Sequence, residues 1–572
     1  MASNDGVCLP ADLFHLVTAE LAVKALRADT QEAARPEFAA LYNCVLSSKY
    51  LASAGALSAL YRIALHEKSP VKGGGSEALS FAEQDVTVMK WSILWRTVIL
   101  SALGKTLYPY CRHLRELDLR DLSGLMDRMD EPKYRGRVAK QFFAGDLARF
   151  HFTLASQGKG RAARLDSKKI LLAVGDEITQ HAPLLEGLSE PTTSDVLISA
   201  LPIWTPRLSH LRSLEFWDGK LLADETIRNL LHAHCPHLHA LQLYTCSNAE
   251  SDHHLAVFIG GMQQNTLRSF ENNNFCGIGP ETCLALNHHG KSLAELTLGL
   301  EEDGMLALSL LKDCTALKEL KITALRQSVD LKATQHDVYV EVVEWLKQCT
   351  RLQEIAFDGV VSAPDLLLPV LVNKVATLKS LEINAKDGSL YVVKDHRDFH
   401  RALGEHTSLE SLHLRADPDP ISRDDMDILM DALCSLQDLR DLNLHGISDY
   451  FSDQHIAQLA QRLPKLEVLY VGGYGISDSV LASVARLQHL KNVTFAGITT
   501  FTIDGLLDFV DRLPERRTGL LLSVEAAESE SMIPEEGQDL VREALATKVD
   551  GRFEYQPLRD PNMPEFDESD SD

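Results

Sequence analysis

One pattern recurs along this chain more insistently than any other: an apolar residue, two residues of any kind, a second apolar residue, one more of any kind, and a third apolar residue. Copies stand at Leu114/Leu117/Leu119, Leu147/Phe150/Phe152, Leu211/Leu214/Phe216, Leu238/Leu241/Leu243, Leu293/Leu296/Leu298 and Leu317/Leu320/Ile322. They continue at Leu352/Ile355/Phe357, Leu378/Leu381/Ile383, Leu409/Leu412/Leu414, Leu439/Leu442/Leu444, Leu466/Leu469/Val471 and Leu490/Val493/Phe495. A weaker copy, Leu267/Phe270, carries Asn272 where the third apolar residue belongs. From Leu211 onward the copies are 24 to 35 residues apart. A fixed period of that length means stacked supersecondary units.

Each unit has the parts such stacking needs. Alternate side chains of a strand share a face, so the triplet points inward from a short strand. A helix then returns the chain, as in Ile476-Ser477-Asp478 followed by Val480, Leu481, Val484 and Leu487, with Ser477 or Asp478 as its N-cap. This is the leucine-rich-repeat pattern with a few insertions. One unit cannot bury its apolar face alone, whereas neighbours in a stack share a continuous core. The expected fold is therefore an α/β solenoid with a curved parallel sheet inside and helices outside. Cysteine usage fits the same register. Cys111, Cys235, Cys314 and Cys349 all stand three residues before the first Leu of a triplet, the slot that Leu436, Leu463 and Leu487 fill in later repeats. A position shared by Cys and Leu is a packing site, where a free thiol acts as a small hydrophobe.

The N-terminal stretch reads differently. Leu9-Pro10 precedes Asp12-Leu13, Leu16-Val17 and Leu21, an amphipathic helix opened by proline. Next come Leu41, Cys44-Val45-Leu46-Ser47-Ser48-Lys49-Tyr50, Ala54 and Leu60-Tyr61-Arg62-Ile63. These two halves, in this order, resemble the F-box, whose pattern runs Leu-Pro-x-Glu/Asp-Leu, then Leu-x-x-Cys-x-Leu-Val-Ser-Lys, then a small residue and Leu-Tyr. The stretch between them, Ala22–Ala40, is longer than usual in that family, and Tyr50 stands where a tryptophan is common. The segment Lys90–Leu119 resembles the linker into the first repeat of fungal F-box proteins. The resemblance implies a small all-α module that docks on the Skp adaptor of an SCF-type cullin–RING ubiquitin ligase. By the same resemblance Leu9, Pro10, Asp12, Leu13, Leu16, Leu41, Cys44, Val45 and Leu46 meet the adaptor or hold the helices together. Read without it, the same residues also suit a plain helical cap on the solenoid.

The expected organisation is a helical module at 1–66, a linker with connecting helices at 67–110, and a solenoid at 111–525 with an irregular insertion at about 120–209. A capping segment at 526–559 and a disordered acidic tail at 560–572 complete it. Within the linker, SPVKGGGSE at 69–77 has the Gly and Pro content of a loop.

Charge and motifs limit the function. Apolar residues make up 45% and charged residues 24%, the range of soluble globular chains. A net charge of −24 repels nucleic-acid phosphates and anionic membranes. The basic run Lys159, Arg161, Arg164, Lys168, Lys169 reads as a solvated loop, with a nuclear-import signal as the alternative. The apolar stretch Trp91–Leu103 is interrupted by Arg96 and Thr97 and falls short of the roughly 20 residues a bilayer requires. Without a signal-peptide pattern at MASNDGVCLPADLF, the expected residence is cytoplasm or nucleus, where the ten cysteines stay thiols. Gly104-Lys105-Thr106 lacks the earlier glycine of a phosphate loop, because position 99 is Ile. His232, His234, Cys235, His237 and His239 lie close together, but Cys235 occupies the packing slot and no second ligand pair follows. No metal, cofactor or catalytic residue is expected.

A partner is expected instead. In this fold the positions between and just after the leucines line the concave face. The column three residues after the second Leu reads Arg120, Thr153, Trp217, Tyr244, Asn273, Gly299, Thr323, Asp358, Asn384, Arg415, His445. Trp217 and Tyr244 fall in adjacent repeats, about 5 Å apart, and neighbouring exposed aromatics are hot-spot material. Together with Asn272, Asn273, Arg415 and His445 they form the expected target-binding set, unless the insertion at Leu154–Ser209 covers the aromatics. The function this implies is a non-catalytic substrate receptor, a monomer within a hetero-complex holding a Skp-family adaptor, through it a cullin, and a target protein. Two other readings stay open: a ligase-independent scaffold or inhibitor, and an enzyme with its site in the irregular 120–209 block.

Overall fold

The computed structural model describes residues 10–26, 31–63, 81–154, 163–191, 195–246, 250–373, 377–384, 392–415, 422–514, 519–528 and 532–557. Leu9, the Gly-rich stretch at 69–77, Lys159, Arg161 and the acidic tail lie outside these residues. The chain divides into two compact units, Met1–Asn272 and Asn273–Asp572.

The first unit begins with helices α1 (Ala11–Leu26) and α2 (Gln31–Ser47) and the helix Leu57–Ile63. Ala22, Leu41, Ala59 and Leu60 make a small core there, with Leu21 and Val45 packed against it. Gly55 permits the close approach: its φ is +146°, and a Cβ would stand 2.6 Å from the Thr18 hydroxyl on α1. Two contacts lead toward the repeats, one from these helices and one from the long helix that follows them. Tyr61 stacks on Tyr110 with ring centroids 5.1 Å apart. The long helix Phe81–Ala102 is pinned by Trp91 and Trp95, whose indole N–H groups each donate to Asp121 at 2.6 Å.

Five parallel strands follow: β1 (Glu116–Asp118), β2 (Gly187–Ser189), β3 (Ser213–Asp218), β4 (Ala240–Thr245) and β5 (Ser269–Asn272), each paired with the next. Leu117, Leu188, Leu214, Leu241 and Phe270 share one register row and are at most 2% exposed. One copy of the sequence pattern is misassigned. Gly145–Phe150 is a 3-10 helix, so Leu147 and Phe150 are buried as helical residues and Leu147/Phe150/Phe152 supplies no ladder strand. The second strand comes from Leu185/Leu188/Glu190, inside the stretch expected to be irregular; a carboxylate in the third slot hides it from an apolar search.

The second unit carries β6 (Glu295–Leu300), β7 (Glu319–Ala324), β8 (Glu354–Asp358), β9 (Ser380–Asn384), β10 (Ser411–Arg415) and β11 (Asp441–Asn443). It continues with β12 (Val468–Val471), β13 (Tyr474–Ile476), β14 (Asn492–Thr499), β15 (Leu521–Ala527) and β16 (Arg552–Pro557). They pair in parallel in chain order, except that β12 joins β14 and β13 pairs with β14 beyond it. Gly497 makes room there, since a Cβ would lie 2.1 Å from the backbone of Gly473. Leu296, Leu320, Ile355, Leu381, Leu412, Leu442, Leu469, Val493 and Leu522 form the continuous apolar row. The final helix, Glu535–Val549, turns Val541, Leu545 and Val549 inward and acids outward, as a terminal cap must. Both units are thus leucine-rich-repeat solenoids of the α/β class. Among the described residues no helix is long and apolar enough to cross a membrane.

Charges also keep the stack in step. The residue just before each strand hydrogen-bonds backbone to backbone with its counterpart in the next repeat: Glu410 N–H to Lys379 O, Arg440 N–H to Glu410 O, Glu467 N–H to Arg440 O, and Lys491 N–H to Glu467 O. Their side chains alternate in sign and pair in sequence. Lys379 reaches Glu410 at 3.4 Å, Arg440 reaches Glu410 at 3.8 Å and Glu467 at 3.1 Å, and Lys491 reaches Glu467 at 2.5 Å. In the first unit Arg115, Glu186 and Arg212 repeat the arrangement at 2.8 and 3.2 Å. Partial burial opposes the charged form of Glu467, but its two cations outweigh that and hold its carboxyl below the usual range. Glu467→Lys places three cations in a row. It should cost about 1 kcal/mol in low salt, read from urea unfolding, and the loss should shrink toward zero at high ionic strength.

Candidate functional site

Three surfaces emerge from these elements. On α1, Leu13, Leu16 and Val17 are 50%, 64% and 50% exposed; on α2, Phe38, Tyr42 and Leu46 are 37%, 49% and 66% exposed. The spacing i, i+3, i+4 on one helix and i, i+4, i+8 on the other places each trio on a single face. Leu41, by contrast, is fully buried, and Val45 packs on the same small core. Both helices are therefore apolar on two sides, one closed by their own module and one open. Cys44 is half-buried, while Pro10 and Asp12 are exposed at the start of α1.

The second surface lies on the polar side of β1–β4. Trp217 and Tyr244 stack with ring centroids 5.1 Å apart and an interplanar angle of 24°. Both rings are half-buried. Arg120, at the start of the helix after β1, holds the polar edge of the pair: its guanidinium donates to the Tyr244 hydroxyl at 2.9 Å and ion-pairs with Glu215 and with Asp118. It also lies 5.9 Å over the Tyr244 ring. Behind Trp217 stands Glu190, 4% exposed, in the third apolar slot of its repeat. Its carboxylate accepts the Leu197 N–H at 3.1 Å and the Trp217 N–H at 3.2 Å, tying the aromatic's backbone to the first turn of the helix Val196–Trp204. Burial pushes this carboxyl up to about 7, assisted by Asp195 and Asp218 and opposed by the two N–H groups.

Asn272 corrects an expectation. It pairs across with Leu243, is 0% exposed and sits in the core column, so it offers nothing to a partner. Asn273 is exposed and opens the second unit.

The third surface belongs to β9–β15. Arg415 is exposed at the end of β10 and makes no side-chain hydrogen bond or ion pair among the described residues. Near it a polar chain links side chains of three repeats, passing over β14. Tyr470 donates its hydroxyl to Glu525 at 2.8 Å, and His445 Nδ1 meets the Tyr470 oxygen at 2.9 Å. His413 Nε2 pairs with Asp441 at 2.9 Å, which lifts the His413 imidazole above its ordinary value. Of these, the sequence column contained Arg415 and His445 alone. Glu215, His413 and Tyr470 occupy the middle of their strands, two positions before that column on the same face, so reading the whole face rather than one column finds them.

Among the described residues no group of three or more His, Cys, Asp or Glu is arranged to hold a metal ion. His232 stacks on Phe258 and contacts its carbonyl, and burial pushes the Cys235 thiol up to about 12.

Because the folded state raises the Glu190 carboxyl above its unfolded value, it favours the protonated form. The associated stability is complete below pH 4.5 and is lost as pH climbs to about 7. Glu190→Gln removes that dependence. Thermal unfolding should show the variant gaining on the parent by on the order of 1–3 kcal/mol between pH 5 and pH 8; parallel curves would exclude a titrating Glu190.

No family model matches the chain, and no curated protein does. Among solved structures it is similar to the Rad7 and Elc1 complex of yeast, at 13% identity and a TM-score of 0.40, covering 79% of this chain and 92% of that one. It is also similar to an internalin (inlF) from Listeria monocytogenes str. 4b F2365, at 15% identity and a TM-score of 0.32, covering 59% of this chain and 81% of that one.

Proposed function

We propose that this chain is the substrate-recognition subunit of an SCF-type ubiquitin ligase, with α1 and α2 docking a Skp-family adaptor and the polar face of the repeat strands capturing a target protein. The observation that carries the reading is the open apolar face of the N-terminal helices. Six large apolar side chains there are between 37% and 66% exposed, although the module closes its own core with Leu41, Ala59 and Leu60 on the other side. Exposed apolar trios of this kind, each on one face of its helix, mark a protein interface. The residues on it belong to the segment that resembles an F-box, a module whose partner is the adaptor.

In this reading the chain performs no chemistry. Its contribution is to hold a bound target beside a ligase core, which replaces a bimolecular encounter by a high effective concentration. The stacked Trp217–Tyr244 pair suits such capture because its geometry is set beforehand: Arg120 fixes one ring and Glu190 the backbone of the other, so little freedom is lost on binding.

Leu13→Asp combined with Leu16→Asp should abolish co-purification of the adaptor while leaving the melting temperature within about 2 °C, since both side chains are already in water. Leu41→Asp, at a fully buried position, should unfold the module and serves as the contrast. Adaptor retained by the double variant would overturn the docking assignment. Trp217→Ala with Tyr244→Ala should weaken target capture, read by quantitative pull-down against the parent, by about tenfold or more without loss of adaptor; undiminished capture would remove the aromatic pair from the target site.

A further inference from the structure

The hydrogen-bond chain in the second unit fixes which nitrogen of His445 carries a proton. The Tyr470 hydroxyl has one hydrogen, and the Glu525 carboxylate, which can only accept, takes it. The remaining contact, His445 Nδ1 to the Tyr470 oxygen, is then a donation from an Nδ1–H. A neutral His445 therefore keeps its lone pair on Nε2, and protonation creates a new N–H donor there. Burial and the Arg415 charge hold His445 below its ordinary value, and Glu525 opposes them. At neutral pH the ring is accordingly uncharged, and an arriving anion that neutralises Arg415 makes protonation easier.

Arg415 lies close enough for its charge to act on this imidazole. Every cation of the ion-pair ladder in this unit has an acid beside it, yet Arg415 is exposed on the sheet face with none among the described residues. In a chain of net charge −24, such a guanidinium is a local exception to a field that otherwise repels acids. Planar, forked donors match carboxylates two bonds at a time. The charged and titratable groups around the pair are His413 with Asp441, Tyr470, Asp449 and Glu525. Tyr470 engages Glu525 and His413 engages Asp441, whereas Arg415 and Nε2 of His445 have no hydrogen-bond or ion-pair partner among the described residues.

We propose that Arg415 and His445 together bind an acidic, carboxylate-bearing segment of the target protein, and that capture takes up one proton from solvent onto His445 Nε2. Arg415 pairs with a carboxylate of the segment, and the new Nε2–H donates to it or to its neighbour. The ligand is an Asp/Glu-rich peptide, read by charge and paired hydrogen bonds. This inference rests on the proposed target-receptor function and adds the chemistry of the target and a pH dependence to it. Binding strengthens as pH falls through the titration of His445 and weakens above it.

The test uses the full chain and two synthetic peptides, one Asp/Glu-rich and one with the acids replaced by Asn and Gln, in isothermal titration at pH 6 in buffers of different ionisation enthalpy. The acidic peptide should bind at least about tenfold more tightly than its neutral counterpart, with a heat that changes with buffer in the sense of proton uptake. Arg415→Ala should lose that preference. His445→Gln should keep part of the affinity but lose the buffer dependence, a readout that mere structural damage would not give. Equal binding of the two peptides, or an acidic peptide bound equally well by Arg415→Ala, overturns the inference. So does a phosphorylated, acid-free peptide that outcompetes the acidic one. Adaptor co-purification on the same preparations separates the two readings: its absence, with peptide binding intact, sinks the ligase function and not this site.

Discussion

A single repeat of this chain has no inside. Its strand is three to eight residues long and its inward side chains cover one neighbour on each side, so the leucines leave water only where repeats stack in register. That stacking is the constraint from which the rest follows. In the first unit Leu117, Leu188, Leu214, Leu241 and Phe270 make one row; in the second, Leu296 through Leu522 make another. Parallel pairing assigns every other residue of each strand to the opposite face. Whatever the sequence places there is displayed in rows about 4.8 Å apart. The fold thus converts a one-dimensional spacing into a two-dimensional surface.

Register needs protection, because a slip by one residue would send the leucines to the wrong face. The ion-pair ladder is suited to that task. Lys379, Glu410, Arg440, Glu467 and Lys491 contribute little each, being exposed or partly so, but a strand shifted by one residue would carry its charge out of line with the opposite charges on either side. A second set of ties joins helix starts: Asp453 accepts the Ser477 N–H at 2.9 Å, and Asp478 accepts the Thr502 N–H at 3.0 Å, one repeat further on. Both are side chain to backbone bonds that satisfy amides helix geometry leaves open.

This hierarchy explains what was legible in the amino-acid order. Buried rows repeat with a period, so the solenoid, the packing slot of Cys111, Cys235, Cys314 and Cys349, and the adjacency of Trp217 and Tyr244 all follow from spacing. Polar residues in apolar slots break the period and mislead. Glu190 concealed β2 and let Leu147/Phe150/Phe152 pass for it; Asn272 read as surface because asparagine is usually there, whereas its register with Leu243 places it in the core. The reach of long side chains is not encoded in spacing at all. Arg120 touches Tyr244 from 124 positions away, and Tyr470 meets Glu525 from 55 away. Such contacts depend on rotamers that only the assembled sheet selects.

The two polar intrusions also differ in what they reveal about the surface above them. An uncompensated carboxylate among leucines is expensive, and one kept in place should be engaged in something a leucine cannot do. Glu190 accepts two backbone N–H groups, one belonging to Trp217, so its cost is offset by fixing the strand end that presents the indole. On the face itself the economy runs the other way. Glu215, Asp118 and Tyr244 satisfy Arg120, and the alternating ladder satisfies Arg440, so these cations are structural members of the sheet. Arg415 is exposed without such a partner among the described residues, beside an imidazole whose outer nitrogen the Tyr470–Glu525 pair leaves open. Arg120 and Arg440 are thus held by the stack itself, whereas Arg415, with no such partner among the described residues, is held out on the same architecture to another molecule.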